Sequence, residues 1–186
     1  MSAGYLTNPL IFIINALFGA YIFVLIIRLL LQYTAADSRN PVSAFIIRAT
    51  RLPLQLLKPV FPTVKGINLS AIVLMLLLQM MVGFLMLSGS AGVNVWAVFI
   101  WSITELIDSI INVFIFSIFV TVILSWINPG AHNPAVDLLY KITEPVLNPF
   151  RRWVPPIGGM DLSPMVALLA LQVLKMLLIP PLFSLM

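Results

Sequence analysis

Residues 133–164 read NPAVDLLYKITEPVLNPFRRWVPPIGGMDLSP, a polar, proline-rich stretch in a chain otherwise made largely of Leu, Ile, Val, Phe and Met. Shifted back by 93 residues, half of the 186-residue chain, its anchor positions recur in residues 40–71, NPVSAFIIRATRLPLQLLKPVFPTVKGINLSA. Asn133-Pro134 falls on Asn40-Pro41, Thr143 on Thr50, Leu147 on Leu54, Pro155 on Pro62, Gly159 on Gly66 and Leu162-Ser163 on Leu69-Ser70. The same offset places Leu124 on Leu31 and Gln172 on Gln79. Leu matches are cheap in this composition, whereas those of Asn, Pro, Gly, Ser and Gln are not. The chain therefore reads as a tandem duplication, residues 1–93 and 94–186.

Hydrophobic residues make up 61% of the chain and charged residues 9%. Soluble domains carry about 25% charge, so this chain cannot cover a water-facing surface. Apolar runs at residues 10–33, 68–88, 105–127 and 163–185 approach the ~20 residues needed to cross a bilayer. Asn8-Pro9 reads as cap and first turn of the first span. Residues 94–104, VNVWAVFIWSI, either lie in the interface or extend the third span. The expected fold is all-α, with about four transmembrane helices in two parallel repeats, each running helix, amphipathic loop helix, Pro/Gly turn, helix.

The net charge of +4 would suggest nucleic acid in a soluble protein. Here Lys and Arg mark the loops held on the cytoplasmic side, and no nucleic-acid partner is expected. Residues 34–67 carry Arg39, Arg48, Arg51, Lys58 and Lys65 against Asp37, and residues 128–162 carry Lys141, Arg151 and Arg152 against Asp137, Glu144 and Asp161. Both long loops should be cytoplasmic and both termini external. No basic residue precedes the first apolar run, so that run reads as a retained helix rather than a cleaved signal. The absence of cysteine excludes disulfides and thiolate chemistry.

Asp137, Lys141, Glu144 and Asn148 form one helical stripe, and Arg48, Arg51, Gln55 and Lys58 form its counterpart. Helices of this kind lie along a membrane surface. Pro53 and Pro145 interrupt the stripes, and Thr143-Glu144-Pro145 looks like a fresh helix start. Two short helices with a bend, or a shallow re-entrant pair, are expected in each loop. Pro155 and Gly159 then belong to an ordered turn, and Asp161-Leu162-Ser163-Pro164 starts the last span, with Ser163 as cap and Pro164 at the first helical position. None of this requires Arg151 and Arg152 beside Trp153. Those residues suit either anionic lipid headgroups or a docked membrane protein.

Taken together, these motifs resemble the YggT family, also called the YlmG family, over the whole chain. The second repeat matches better, from Asn133-Pro134 through Glu144-Pro145, Asn148-Pro149, Arg151-Arg152 and Pro155-Pro156 to Asp161-Leu162-Ser163-Pro164. The first has Leu52, Asn68 and Ala71 at the positions of Pro145, Asp161 and Pro164. The resemblance implies a bacterial inner-membrane or plastid membrane protein with no cofactor and no established catalysis. It links relatives to membrane-complex assembly, division-related processes and osmotic tolerance.

Catalytic signatures are absent: there is no H-E-x-x-H, G-x-S-x-G or Walker loop. The lone histidine, His132, reads as a solvated loop residue, since a zinc site needs three or four ligands. Glu105 and Asp108 share a helical face. Within the membrane they would be costly and would suggest an ion or proton site, with Lys175 or Arg28 as partner; at the interface they would simply be hydrated. Gln79 and Gln172 recur near mid-span as interhelical hydrogen-bonding groups. Two functions follow. One is a non-catalytic assembly scaffold or adaptor, docking through Arg48, Arg51, Lys58, Arg151, Arg152 and Trp153. The other is a small oligomeric ion or solute transporter or channel, with Glu105 and Asp108 near the pathway.

Overall fold

The computed structural model describes residues 4–64, 66–87, 94–127, 133–154 and 161–186. The described residues form α1 (Gly4–Tyr33), α2 (Pro41–Leu57), the strands β1 (Thr63–Val64) and β2 (Ile67–Asn68), α3 (Leu69–Leu87), α4 (Val95–Ile127), α5 (Pro134–Trp153) and α6 (Ser163–Phe183). Four helices are long and apolar enough to span a membrane: Pro9–Tyr33, Leu69–Met86, Val95–Ile127 and Ser163–Phe183.

The pairing of helices repeats. α1 packs on α2 and α3 in the first half, and α4 packs on α5 and α6 in the second. The halves join chiefly through α3 against α4. The main core lies where α1, α2, α3, α4 and α5 converge, around Leu25, Ile26, Leu54, Met75, Leu106 and Ile142. A smaller cluster, Ile118, Leu147 and Ala167, closes the second repeat.

Both surface helices start in the same way. Asn40 Oδ1 accepts from Val42 N at 2.9 Å, and Asn133 Oδ1 accepts from Ala135 N and Val136 N at 3.0 Å each. Pro41 and Pro134 follow, where a missing N–H costs nothing. Asn40 Nδ2 also donates to Pro134 O at 2.7 Å, so the two helix starts are tied together at one end of the bundle. α1 ends in a Schellman turn: Ala36 N bonds Leu31 O, Ala35 N bonds Gln32 O, and Ala35 takes φ 47°. In the first repeat the turn back to the membrane is a hairpin pairing Thr63 with Asn68 and Val64 with Ile67. Gly66 there has φ +83°, a conformation side chains other than glycine rarely adopt.

The structure overturns three expectations and, for residues 95–104, decides between two stated alternatives. First, α1 starts at Gly4 and carries Pro9 inside it, so Asn8-Pro9 does not open the helix. Near a helix start, Pro9 removes a single ladder bond. Second, residues 95–104 belong to α4 and extend the third span.

Third, neither surface helix breaks at proline. α2 runs through Pro53, and α5 runs through Pro145 and Pro149. Pro53 orphans the carbonyl of Ala49, and the Tyr21 hydroxyl donates to that oxygen at 3.5 Å. Thr143 is not a cap but a fully buried mid-helix residue whose hydroxyl donates to Leu139 O at 2.9 Å. Its counterpart Thr50 donates to Ile46 O at 2.7 Å. This back-bonding uses the threonine hydroxyl inside a helix, where it tends to bend the axis. Packing of the buried faces outweighs the cost of the lost N–H groups. Fourth, Ser163 is the first residue of α6 rather than its cap, and Pro164 is the second. Asp161 Oδ1 takes Ser163 N at 2.9 Å, while the Ser163 hydroxyl points back toward Val154 O.

Candidate functional site: a cationic face and an intramembrane polar cluster

α2 has three faces. Ser43, Ile46, Thr50 and Leu54 are buried against the bundle. Arg48, Arg51, Gln55 and Lys58 form an exposed polar stripe. Phe45, Leu52 and Leu56 form a third, exposed apolar face. A helix at a membrane surface needs such a division: one face on protein, one toward lipid, one in water. In α5 the positions equivalent to Phe45 and Ala49 are Leu138 and Ile142, and both are buried in the core shared with the first repeat. The repeats are therefore alike in sequence pattern but not in surroundings.

At the far end of α5, Arg151, Arg152 and Trp153 are all exposed, with Trp153 edge-on to Phe150 at a centroid distance of 6.3 Å. Arg151 Nε bonds Asp161 Oδ2 at 3.0 Å, so one cation of the expected docking set is already paired. Among the described residues, Arg48, Arg51, Lys58 and Arg152 have no ion pair. Pro155 and Gly159, with Pro156, Gly158, His132 and Lys65, lie outside the described residues.

Asp161 thus joins two tasks, capping α6 and holding Arg151. Burial pushes its carboxyl up, but the Ser163 hydroxyl and amide and the Arg151 guanidinium pull it down further, and the net lies below the usual carboxylate range. A depressed native value means that this stability is present above the ordinary pKa and is lost as pH falls through the native one. Thermal unfolding in detergent should shift downward as pH falls below about 4, the ordinary Asp range. Asp161→Asn should flatten that part of the profile. An unchanged profile would show that the Asp161 contacts do not contribute.

The second polar group lies inside the spans. Lys175 Nζ on α6 is 2.8 Å from Asp108 Oδ1 and 3.0 Å from Asn112 Oδ1, and Asn112 Nδ2 donates to Asp108 Oδ2 at 2.8 Å. Each pair in this triad is in contact, so Lys175 neutralises the acid and Asn112 fills a lone pair on it. Asp108 lies 13 residues into α4 from Val95 and Lys175 lies 12 residues into α6 from Ser163, roughly 20 Å along each helix at ~1.5 Å per residue and away from both helix ends. The Asp108 and Lys175 side chains are only 23% and 27% exposed. Glu105, one turn earlier, has no hydrogen bond or ion pair among the described residues. Arg28 turns to α2 instead of to an acid. Asn112 was not legible as a member of the site. The available signal was its place four residues after Asp108, on the same helical face of an apolar helix. A cavity of about 330 Å³ adjoins the triad and is lined in part by Gln79, Ser109 and Asn112. No group of three metal-ligating side chains occurs among the described residues.

The CCB3/YggT family model matches residues 7–88 and again residues 100–182. The chain belongs to the CCB3/YggT family. The two matches begin 93 residues apart, the offset visible in the sequence itself. An uncharacterised protein of Pseudomonas aeruginosa is 40% identical over 177 residues, 94% of this chain and 90% of its own. The uncharacterised protein YggT of Escherichia coli is 28% identical, over 91% of this chain and 88% of its own. YlmG homolog protein 2, chloroplastic, of Arabidopsis thaliana is 39% identical over 62 residues, 33% of this chain and 24% of its own. No solved structure matches. Membership of the CCB3/YggT family and the four long apolar helices make this a multi-pass, helical membrane-type protein.

Proposed function

We propose that this protein is a non-catalytic scaffold or adaptor of the bacterial inner membrane, docking membrane complexes through its surface helices. The observation that carries the reading is the exposed stripe Arg48, Arg51 and Lys58 along α2 and its C-cap, with Arg152 and Trp153 exposed at the end of α5. α2 contains no acid, so its charge is not cancelled along the helix. On this reading the face is cytoplasmic and both termini are external, in keeping with the tendency of Lys and Arg to remain on the cytoplasmic side. Arg and Trp are residues that anchor interfaces when buried by a partner, and a partner membrane protein is the occupant expected.

The test is crosslinking mass spectrometry on membranes holding the native protein, beside a variant with Arg48, Arg51, Arg151 and Arg152 changed to Glu. Crosslinks from residues 34–67 and 128–162 to one complex, lost in the variant, support the reading. Self-crosslinks only, equal in both samples, overturn it and point to a homo-oligomer. A second reading, an oligomeric ion or solute transporter, draws on the Asp108–Asn112–Lys175 triad beside its cavity. Liposome flux unchanged by Glu105→Gln with Asp108→Asn would remove it.

A further inference from the structure

Two cavities occupy equivalent places in the two repeats. One, about 370 Å³, is bounded by α1, α2 and the hairpin; the other, about 300 Å³, by α4, α5 and the start of α6. Five lining positions correspond at the 93-residue offset: Arg28 with Thr121, Gln32 with Ser125, Ile47 with Tyr140, Lys58 with Arg151 and Asn68 with Asp161. The packing around them corresponds too. Thr50 and Thr143 are both fully buried, and Ser70 bonds Phe61 O as Ser163 bonds the equivalent Val154 O.

The charge in the two cavities does not correspond. In the second repeat the one cation, Arg151, is held by Asp161 at 3.0 Å, and Thr121 is neutral. In the first repeat the acid is replaced by Asn68, a second cation is added at Arg28, and Lys58 stands where Arg151 was. Asp37, the acid of the adjoining loop, accepts from Arg39 N at 2.9 Å, and neither Arg28 nor Lys58 has an acidic partner among the described residues. Arg28 Nη1 donates to Ile47 O at 2.9 Å and to Thr50 Oγ1 at 2.6 Å, while its buried Nε has no partner. Those contacts orient the guanidinium but leave its charge uncompensated, at the end of a membrane-spanning helix where an unpaired charge is costly. The repeat whose acid is missing is thus the repeat with two cations. An anion supplied from outside would take the place of Asp161.

We propose that the first-repeat cavity binds a phosphate group, held between Arg28 and Lys58 with the Asn68 amide and Gln32 beside it. Arginine presents a planar fork of donors and lysine a point charge, both suited to phosphate oxygens. The cavity lies at the end of the first apolar span, lined by the last turn of α1 and by the loop and hairpin beyond it, so the phosphate of an anionic phospholipid is the source we infer; a free phosphate ion has the same chemistry. The inference shares Lys58 with the scaffold reading but not its test, which changes neither Arg28 nor Lys58, so the two can fail separately.

The experiment is native mass spectrometry of the full chain, purified in detergent and titrated with phosphatidylglycerol, with diacylglycerol, which carries no phosphate, as the reference lipid. In parallel, thermal unfolding is followed with and without inorganic phosphate. One phosphatidylglycerol per chain is expected to be retained, with at least tenfold weaker retention in Lys58→Gln, and Arg28→Lys should retain more than Arg28→Gln. Arg48→Gln with Arg51→Gln removes two charges from the exposed stripe, one more than Lys58→Gln, and should leave retention unchanged. Stabilisation by inorganic phosphate, lost in Lys58→Gln and without selective lipid retention, would support the site with a soluble anion as its ligand. Lys58 is exposed and its replacement leaves the buried contacts of Arg28 in place, so the test survives if the Arg28 variants fail to fold. Equal retention of the two lipids with no effect of phosphate, or retention by Lys58→Gln equal to the parent, would overturn the proposal.

Discussion

Replacing Asp108 alone by Ala should lower the stability of the bundle by about 3 kcal/mol, the cost of leaving one member of a membrane-embedded pair without its partner. Lys175 would then present an ammonium to Asn112 and lipid, with only the Asn112 carbonyl oxygen, at 3.0 Å, to receive it. Lys175→Ala should cost a comparable amount, because Asp108 keeps only the amide of Asn112. The double variant Asp108→Leu with Lys175→Met should come back to within about 1 kcal/mol of the parent, since replacing both ions removes both desolvation costs. Unfolding by dodecyl sulfate in mixed micelles, followed by tryptophan fluorescence, measures all three. If the double variant is as unstable as the sum of the singles, the pair is not a coupled unit.

The second large effect is at the seam between the repeats. A Cβ added at Gly83 of α3 would lie 2.9 Å from Trp101 Cε3 and 3.0 Å from Val98 Cγ1, both on α4. Val98 is fully buried, and an indole ring cannot swing aside as a methionine end can. Gly83→Leu should therefore cost about 3 kcal/mol through overpacking. Gly19 on α1 has nothing within 4 Å of its added Cβ. Gly19→Leu should instead be neutral or gain up to about 1 kcal/mol from helix propensity. The same unfolding titration reads both variants. Equal effects at the two glycines would mean that α3 and α4 are not closely packed at Gly83.

How much of this was legible in advance varies with the physics involved. The spans could be read because burial in lipid demands ~20 apolar residues whatever the tertiary packing. Asn40-Pro41 and Asn133-Pro134 stood out as anchors of the repeat, and their capping is a signal local sequence carries, since Asn-Pro before a helical pattern satisfies backbone donors within a few residues. The prolines misled because Pro53 and Pro145 were weighed by their local cost, whereas the buried faces around Thr50 and Thr143 hold each helix straight through. Ser and Asp are both good caps, and only the fold shows that the Asp161 oxygen, not that of Ser163, meets the start of α6. For the polar cluster, Asp108 and Lys175 were legible as candidate partners, with a hydrated, interfacial Asp108 as the alternative. Their partnership with Asn112, and the turning of Arg28 toward α2, depend on how helices distant in sequence come to lie side by side.

The unequal helices have a consequence for the bilayer itself. α3 has 19 residues, α6 has 21 and α4 has 33, roughly 28, 31 and 50 Å at ~1.5 Å per residue. Lipid along α3 meets a hydrophobic wall about as tall as an ordinary bilayer, while lipid along α4 meets a much taller one. Membrane thickness must rise across the width of a single molecule, or the long helix must lean, and either response carries an elastic cost.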